Sequence, residues 1–180
     1  MCAEGTITCD EALTKVNPKI LEQVLHPIFA LDHADRTYAE NVVAKGLPAS
    51  PGAAVGVIVF SAEDAKRSKD KPCILVREET SADDIGGMYV AEGILTGRGG
   101  MTSHAAVVAR GWGKPCVAGC TDIKFKSHRE ISFGSSEKTF RAGDTISING
   151  TTGEVIAAAL DVQPSTVDTV FTPQDVDAMG

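Results

Sequence analysis

The chain has 180 residues, 43% of them hydrophobic and 23% charged, with a formal net charge of -7. That length buries one substantial core, and the proportions are those of an ordinary globular domain. The acidic balance argues against nucleic acid as a partner, because a phosphate backbone demands a basic face. No apolar run reaches membrane-spanning length and the opening Met1-Cys2-Ala3-Glu4-Gly5 lacks the regions of a signal peptide, so an intracellular protein with no membrane partner is expected.

In chain order, residues 1–40 read as a helical linker arm. Thr8-Cys9-Asp10-Glu11 has capping-box form, and Ile20, Val24 and Leu25 suggest an apolar stripe after Pro18. His26 and His33 are read as surface or locally bonded groups rather than catalytic ones. From Asn41 the text changes to short β-rich runs punctuated by glycine and proline, and residues 41–160 are expected to form the main domain. Strands are predicted at 55–60 and 74–77, with a charged helix over 62–70 between them. There Lys66, Arg67, Lys69 and Lys71 alternate with Glu63, Asp64 and Asp70, which reads as a solvated face and not as a phosphate site.

Ser81-Ala82-Asp83-Asp84 again has capping-box form, and its paired carboxylates suit the first turn of a helix better than a metal site. A buried strand over 93–96 then delivers the chain to Gly99-Gly100-Met101-Thr102-Ser103-His104. The glycines permit a tight turn, Thr102 and Ser103 are both good N-cap residues, and 105–109 is apolar enough to be buried all round. Gly111 stops the helix, with Arg110 in its last turn. His104 therefore sits where free backbone N–H groups and the positive end of the helix favour a neutral, nucleophilic imidazole. The same groups favour a phosphoryl group once it is on the ring, by about 0.3–1 kcal/mol. Arg98 has two readings, a reach to such a phosphate or an ordinary surface arginine; Arg110, about 9 Å further along the axis, is expected to bond carbonyls.

Further strands are predicted at 116–118, 131–133, 145–148 and 154–157, with a hairpin loop at 149–153. The five cysteines are odd in number and contain no Cys-x-x-Cys pair, which suits reduced thiols; Cys116 and Cys120 are read as buried thiols, and no metal is expected. His128 is expected to be exposed. Residues 161–180 carry Asp161, Asp168, Asp175 and Asp177 but no lysine or arginine, and Pro164 and Pro173 interrupt them, as in an acidic C-terminal linker.

The Gly-Gly-x-Thr-x-His array, followed by small and aliphatic residues and Arg110, resembles the phosphohistidine domain of enzymes that make or use phosphoenolpyruvate (PEP). The surrounding text at 46–56, 77–81, 84–85 and 111–117 is similar to that of the pyruvate phosphate dikinases. The resemblance runs from about Gly5 to Ile156, with 121–141 the least familiar segment. It implies an α/β fold, a compact swivelling β/β/α phosphohistidine domain with a helical N-terminal arm.

It also implies that the chain is one piece of a larger, homodimeric phosphotransferase. In that enzyme His104 would be pyrophosphorylated by ATP, lose one phosphate to inorganic phosphate and pass the other to pyruvate. A nucleotide-binding domain and a PEP/pyruvate-binding domain of the same protein would be the partners and would hold Mg2+, with no cofactor in this chain. Gly99, Gly100, Thr102, Ser103 and Arg98 would form the supporting phosphate loop. In plant dikinases the threonine corresponding to Thr102 is a regulatory phosphorylation site. PEP synthases and enzyme I of the sugar phosphotransferase system share the histidine signature and are the alternatives within the family; a non-catalytic interaction domain is the alternative of another class. Members of the family work in cytosol and in plastids or other organelles, so the sequence leaves the compartment open.

Overall fold

The computed structural model describes residues 8, 14–15, 25–30, 35–68, 71–134 and 139–165. In chain order the elements are β1 (Ile28–Phe29), α1 (Arg36–Asn41), β2 (Val42–Lys45), β3 (Leu47–Ser50), β4 (Ala53–Val59), α2 (Ala62–Arg67), β5 (Cys73–Arg77), a 3-10 turn (Ala82–Asp84), α3 (Ile85–Val90), β6 (Gly93–Thr96), α4 (His104–Gly111), β7 (Cys116–Ala118), β8 (Ile123–Ser127), β9 (Glu130–Phe133), β10 (Thr139–Arg141), β11 (Thr145–Asn149), β12 (Glu154–Ile156) and β13 (Val162–Gln163). The fold is mixed α/β, as expected.

An eight-stranded sheet in the order β2-β12-β11-β4-β5-β6-β7-β3 forms the centre. The run β4-β5-β6-β7 is parallel, and α2, α3 and α4 connect its successive strands. Parallel neighbours cannot be joined by a tight hairpin, so each crossover carries a helix. Alternate residues of β5 serve opposite faces: Ile74 and Val76 enter one core cluster, Cys73 and Leu75 the other. The second cluster packs the strands on Ala65, Met88, Ala105, Ala106 and Ala109 of the three helices. The first packs them on Ile123, Ile131, Phe133 and Phe140 of a separate three-stranded antiparallel sheet, β10-β9-β8.

The two edge strands β2 and β3 are separated by Gly46 alone. Successive Cα atoms lie about 3.8 Å apart, so the sheet must roll until its edges meet. At the seam the Gly46 amide donates to the Gly153 carbonyl at 2.7 Å, and a Cβ on Gly46 would lie 2.8 Å from both the Ala118 carbonyl oxygen and Val117 Cγ1. The β11–β12 loop is the predicted hairpin, and the Asn149 side chain closes it by accepting from the Thr151 and Thr152 amides.

Several details differ from the sequence reading. The helix predicted over 62–70 ends at Arg67, where the Ser68 amide closes onto the Asp64 and Ala65 carbonyls. The least familiar segment, 121–141, holds β8 and β10 as well as the expected β9. Most of the expected N-terminal arm, with Ile20, Val24 and His33, lies outside the described residues. Leu25 is exposed. At the other end Val162–Gln163 pairs antiparallel with Ile28–Phe29, and 166–180 lie outside the described residues.

Candidate functional site

The carboxyl ends of β4, β5 and β6 converge on one edge of the parallel run, where open α/β sheets present their ligand-binding loops. From β6 the chain passes through Gly97, Arg98, Gly99 and Gly100 to α4. Gly99 takes φ +109°, a conformation that side chains rarely adopt, and a Cβ there would meet Ser103 at 2.9 Å. Gly100 needs no such conformation. The Ser103 amide then donates to the Gly100 carbonyl at 3.0 Å, and helix α4 begins at His104.

Ser103 is the cap: its backbone is extended and its hydroxyl accepts from the Ala106 amide at 3.4 Å. The expectation that Thr102 caps the helix is corrected, because the helix starts two residues after it. Thr102 is exposed and makes no side-chain hydrogen bond among the described residues. Ala105, Ala106 and Ala109 are fully buried against the sheet, fixing α4 and with it the backbone of His104.

His104 is half-buried, and its Nδ1 lies 3.4 Å from Oγ1 of Thr80, a buried residue just beyond the end of β5. The hydroxyl can donate or accept; as acceptor it holds the ring proton on Nδ1. Nε2 is the ring nitrogen this contact leaves available. Thr80 itself belongs to a bend held by Asp84. That carboxylate accepts from the Ser81 amide at 2.9 Å and the Ser81 hydroxyl at 3.3 Å, and pairs with Arg77 Nε at 3.2 Å.

The arginines singled out in the sequence go elsewhere. Arg98, exposed, pairs with Glu78 at 3.0 Å, and its amide donates to the Glu78 carbonyl at 2.7 Å. Arg110 donates not to carbonyls at the end of its own helix but back to the Met101 carbonyl in the loop before it. Helical side chains lean toward the N-terminus, and this one spans the distance and ties down the loop. His128 is exposed, on the wall of a groove of about 630 Å³ that takes in Arg98 and Glu78 but not His104.

Thr80, Arg77 and Asp84 had no assigned site role in the sequence reading. The available signal was topological: β5 and β6 are parallel neighbours, so the segments leaving their carboxyl ends must meet. Met101, in the loop before His104, is an exposed large hydrophobic, as are Ile85 and Val107; Tyr89 and Trp112 are exposed too, and their rings meet edge-to-face at 5.4 Å beyond the far end of α4. Cys116 and Cys120 are buried in different core clusters; burial pushes their thiols up to about 12 and about 11. No helix among the described residues is long and apolar enough to cross a membrane.

Residues 69–153 match the family described as "PEP-utilising enzyme, mobile domain". The segment with the histidine loop is thus a mobile domain of the PEP-utilising enzymes. Within that class the chain is a homologue of the pyruvate phosphate dikinases. It is 54% identical over 167 residues to pyruvate, phosphate dikinase 1, chloroplastic, of Arabidopsis thaliana, covering 91% of this chain and 17% of that protein. To pyruvate, phosphate dikinase, chloroplastic, of Flaveria trinervia it is 55% identical over 158 residues, covering 87% and 16%. To pyruvate, phosphate dikinase 2 of Oryza sativa subsp. japonica it is 51% identical over 166 residues, covering 91% and 18%. The chain therefore spans less than a fifth of the length of these relatives. A solution structure of an Enzyme I (nEIt) protein covers 61% of this chain and 38% of its own at 22% identity, with a TM-score of 0.33.

Proposed function

We propose that this chain is the phosphoryl-carrying part of a pyruvate phosphate dikinase, with Nε2 of His104 as the carrier atom. The observation that supports it most is the 3.4 Å contact between Thr80 Oγ1 and His104 Nδ1 at the start of a rigid, capped helix. With the proton on Nδ1 and directed at the Thr80 oxygen, the Nε2 lone pair is free to attack.

In the first step Nε2 bonds to the β-phosphorus of ATP as the bond to the AMP oxygen breaks. Inorganic phosphate next takes the terminal phosphoryl group and leaves as pyrophosphate. Finally the enolate oxygen of pyruvate takes the remaining group, forming PEP, and the Nε2–phosphorus electron pair returns to the ring. The Nδ1 proton stays in place throughout, so the leaving group is neutral imidazole. The identity to dikinases favours this reading over the PEP synthases and enzyme I of the sugar phosphotransferase system.

Among the described residues no three His, Cys, Asp or Glu side chains gather as a metal site, and of the carboxylates near His104, Asp84 is occupied by Arg77 and Ser81 and Glu78 by Arg98. On this reading magnesium is held by the partner domains. Nucleotide-binding and PEP/pyruvate-binding domains of the same protein are the partners to which the histidine loop is presented in turn. A phosphate on exposed Thr102 would add a charge of about -1.5 to -2 two residues from the carrier ring and block transfer.

The test is incubation of the full-length enzyme with phosphorus-labelled PEP, followed by peptide mapping. Label on the peptide containing His104, discharged to pyruvate, supports the assignment. Label on another residue, or undiminished turnover after His104→Ala, rejects it.

A further inference from the structure

We propose that the Arg77–Asp84 ion pair is the positioning device of this site, acting through Thr80 on the tautomer of His104. This inference rests on His104 being the carrier. Arg77 closes β5, and the three residues that follow, Glu78, Glu79 and Thr80, run to Ser81. Both ends of that bend converge on one carboxylate: Arg77 Nε lies 3.2 Å from Asp84 Oδ1, and the Ser81 amide donates to Asp84 Oδ2 at 2.9 Å. Arg77 Nη1 also donates to the Phe60 carbonyl at 3.1 Å, which anchors the pair to the residue after β4.

Thr80 is the residue next to Ser81, so the clamp fixes the backbone from which its hydroxyl projects. Its contact with Nδ1 is already 3.4 Å long, and hydrogen bonds fade beyond about 3.5 Å, so a small shift of the bend loses it. Stability does not account for the pair. Asp84 is only 4% exposed, and desolvating its carboxylate offsets much of what the pairing returns. What the pair adds is direction. The fork of Arg77 and the two oxygens of Asp84 fix where the bend lies relative to β4 and β5.

The experiment reads the His104 tautomer by nitrogen NMR of the 180-residue chain labelled at histidine, with a thermal melt for each variant. The wild type and Thr80→Ser, which keeps the hydroxyl, are expected to hold the proton on Nδ1. Asp84→Asn and Arg77→Met, like Thr80→Val, are expected to shift the ratio of the two tautomers toward Nε2–H by up to about tenfold, the factor one hydrogen bond supports. In the full-length enzyme the same two variants should lower kcat for histidine phosphorylation while leaving KM unchanged. A folded Asp84→Asn or Arg77→Met chain with the wild-type tautomer ratio overturns the proposal. Should Asp84→Asn fail to fold, Arg77→Met decides, since it leaves Asp84 its Ser81 partners. The outcomes separate the two claims: label on His104 with an unchanged ratio removes the positioning device only, while a collapsed ratio with no label on His104 removes the carrier.

Discussion

Two polar clusters in this molecule are built from similar parts and differ in what they leave over. At the antiparallel flank the Tyr38 hydroxyl donates to Glu154 at 2.9 Å and accepts from Asn149 at 3.0 Å, while the Thr152 hydroxyl donates to the same Glu154 oxygen at 2.7 Å. Tyr38 is 1% exposed, and burial pushes its hydroxyl up to about 12. At the carboxyl edge of the parallel strands, Thr80 holds one nitrogen of a half-buried imidazole through a single long contact. The first cluster closes a hairpin onto α1 and satisfies its members. The second contacts Nδ1 of the ring and leaves Nε2 without a hydrogen-bond partner among the described residues. On the proposed reading the satisfied cluster is scaffold and the ring nitrogen without a partner is the carrier.

The sharpest way to break this contrast is His104→Ala, which should abolish phosphoryl labelling of the full-length enzyme by PEP while leaving its melting transition in place. Next in size is Thr102→Asp. A charge placed beside the ring should slow labelling by about tenfold or more, the factor that ~1.4 kcal/mol of like-charge repulsion produces; an unchanged labelling rate would remove Thr102 as a control point. Tyr38→Phe should do the reverse of both. It strands the groups bonded to the hydroxyl, lowers stability in chemical denaturation by about 1–3 kcal/mol and leaves labelling intact.

Alkaline titration sharpens the scaffold side. Burial raises Cys116 from its ordinary value of 9.0 to about 12 and Cys120 to about 11, so the folded thiols stay protonated where unfolded ones ionise. Their contribution is complete below pH 9 and is lost as the pH rises through 11 to 12, which denaturant midpoints measured against pH would show as a decline. The smallest effect expected is that of Arg98→Ala. Its exposed pair with Glu78 is worth about 0–1 kcal/mol, and labelling should hold. A marked loss of labelling would mean that the guanidinium leaves Glu78 for the phosphate.

How much of this was legible in the sequence follows from how local each feature is. The His104 loop and the alanine face of α4 lie within one short stretch, and propensity and spacing were enough to place them, but not to choose Ser103 over Thr102 as the cap. The parallel strands read as short apolar runs because both of their faces are buried. The rolling of the sheet was not legible, since it depends on Gly46 joining strands that end up at opposite edges. Nor was Thr80: it meets His104 only because β5 and β6 lie side by side, a fact of pairing and not of pattern. Arg98 and Arg110 were visible as cations, but the direction in which each side chain runs was decided by Glu78 and the Met101 carbonyl.

The most direct measurement is to assign the phosphorus–nitrogen bond in the phosphorylated full-length enzyme by NMR with histidine labelled at both ring nitrogens. The account predicts coupling to Nε2 of His104 and a proton on Nδ1. A bond to Nδ1, or phosphate on any other side chain, would contradict it.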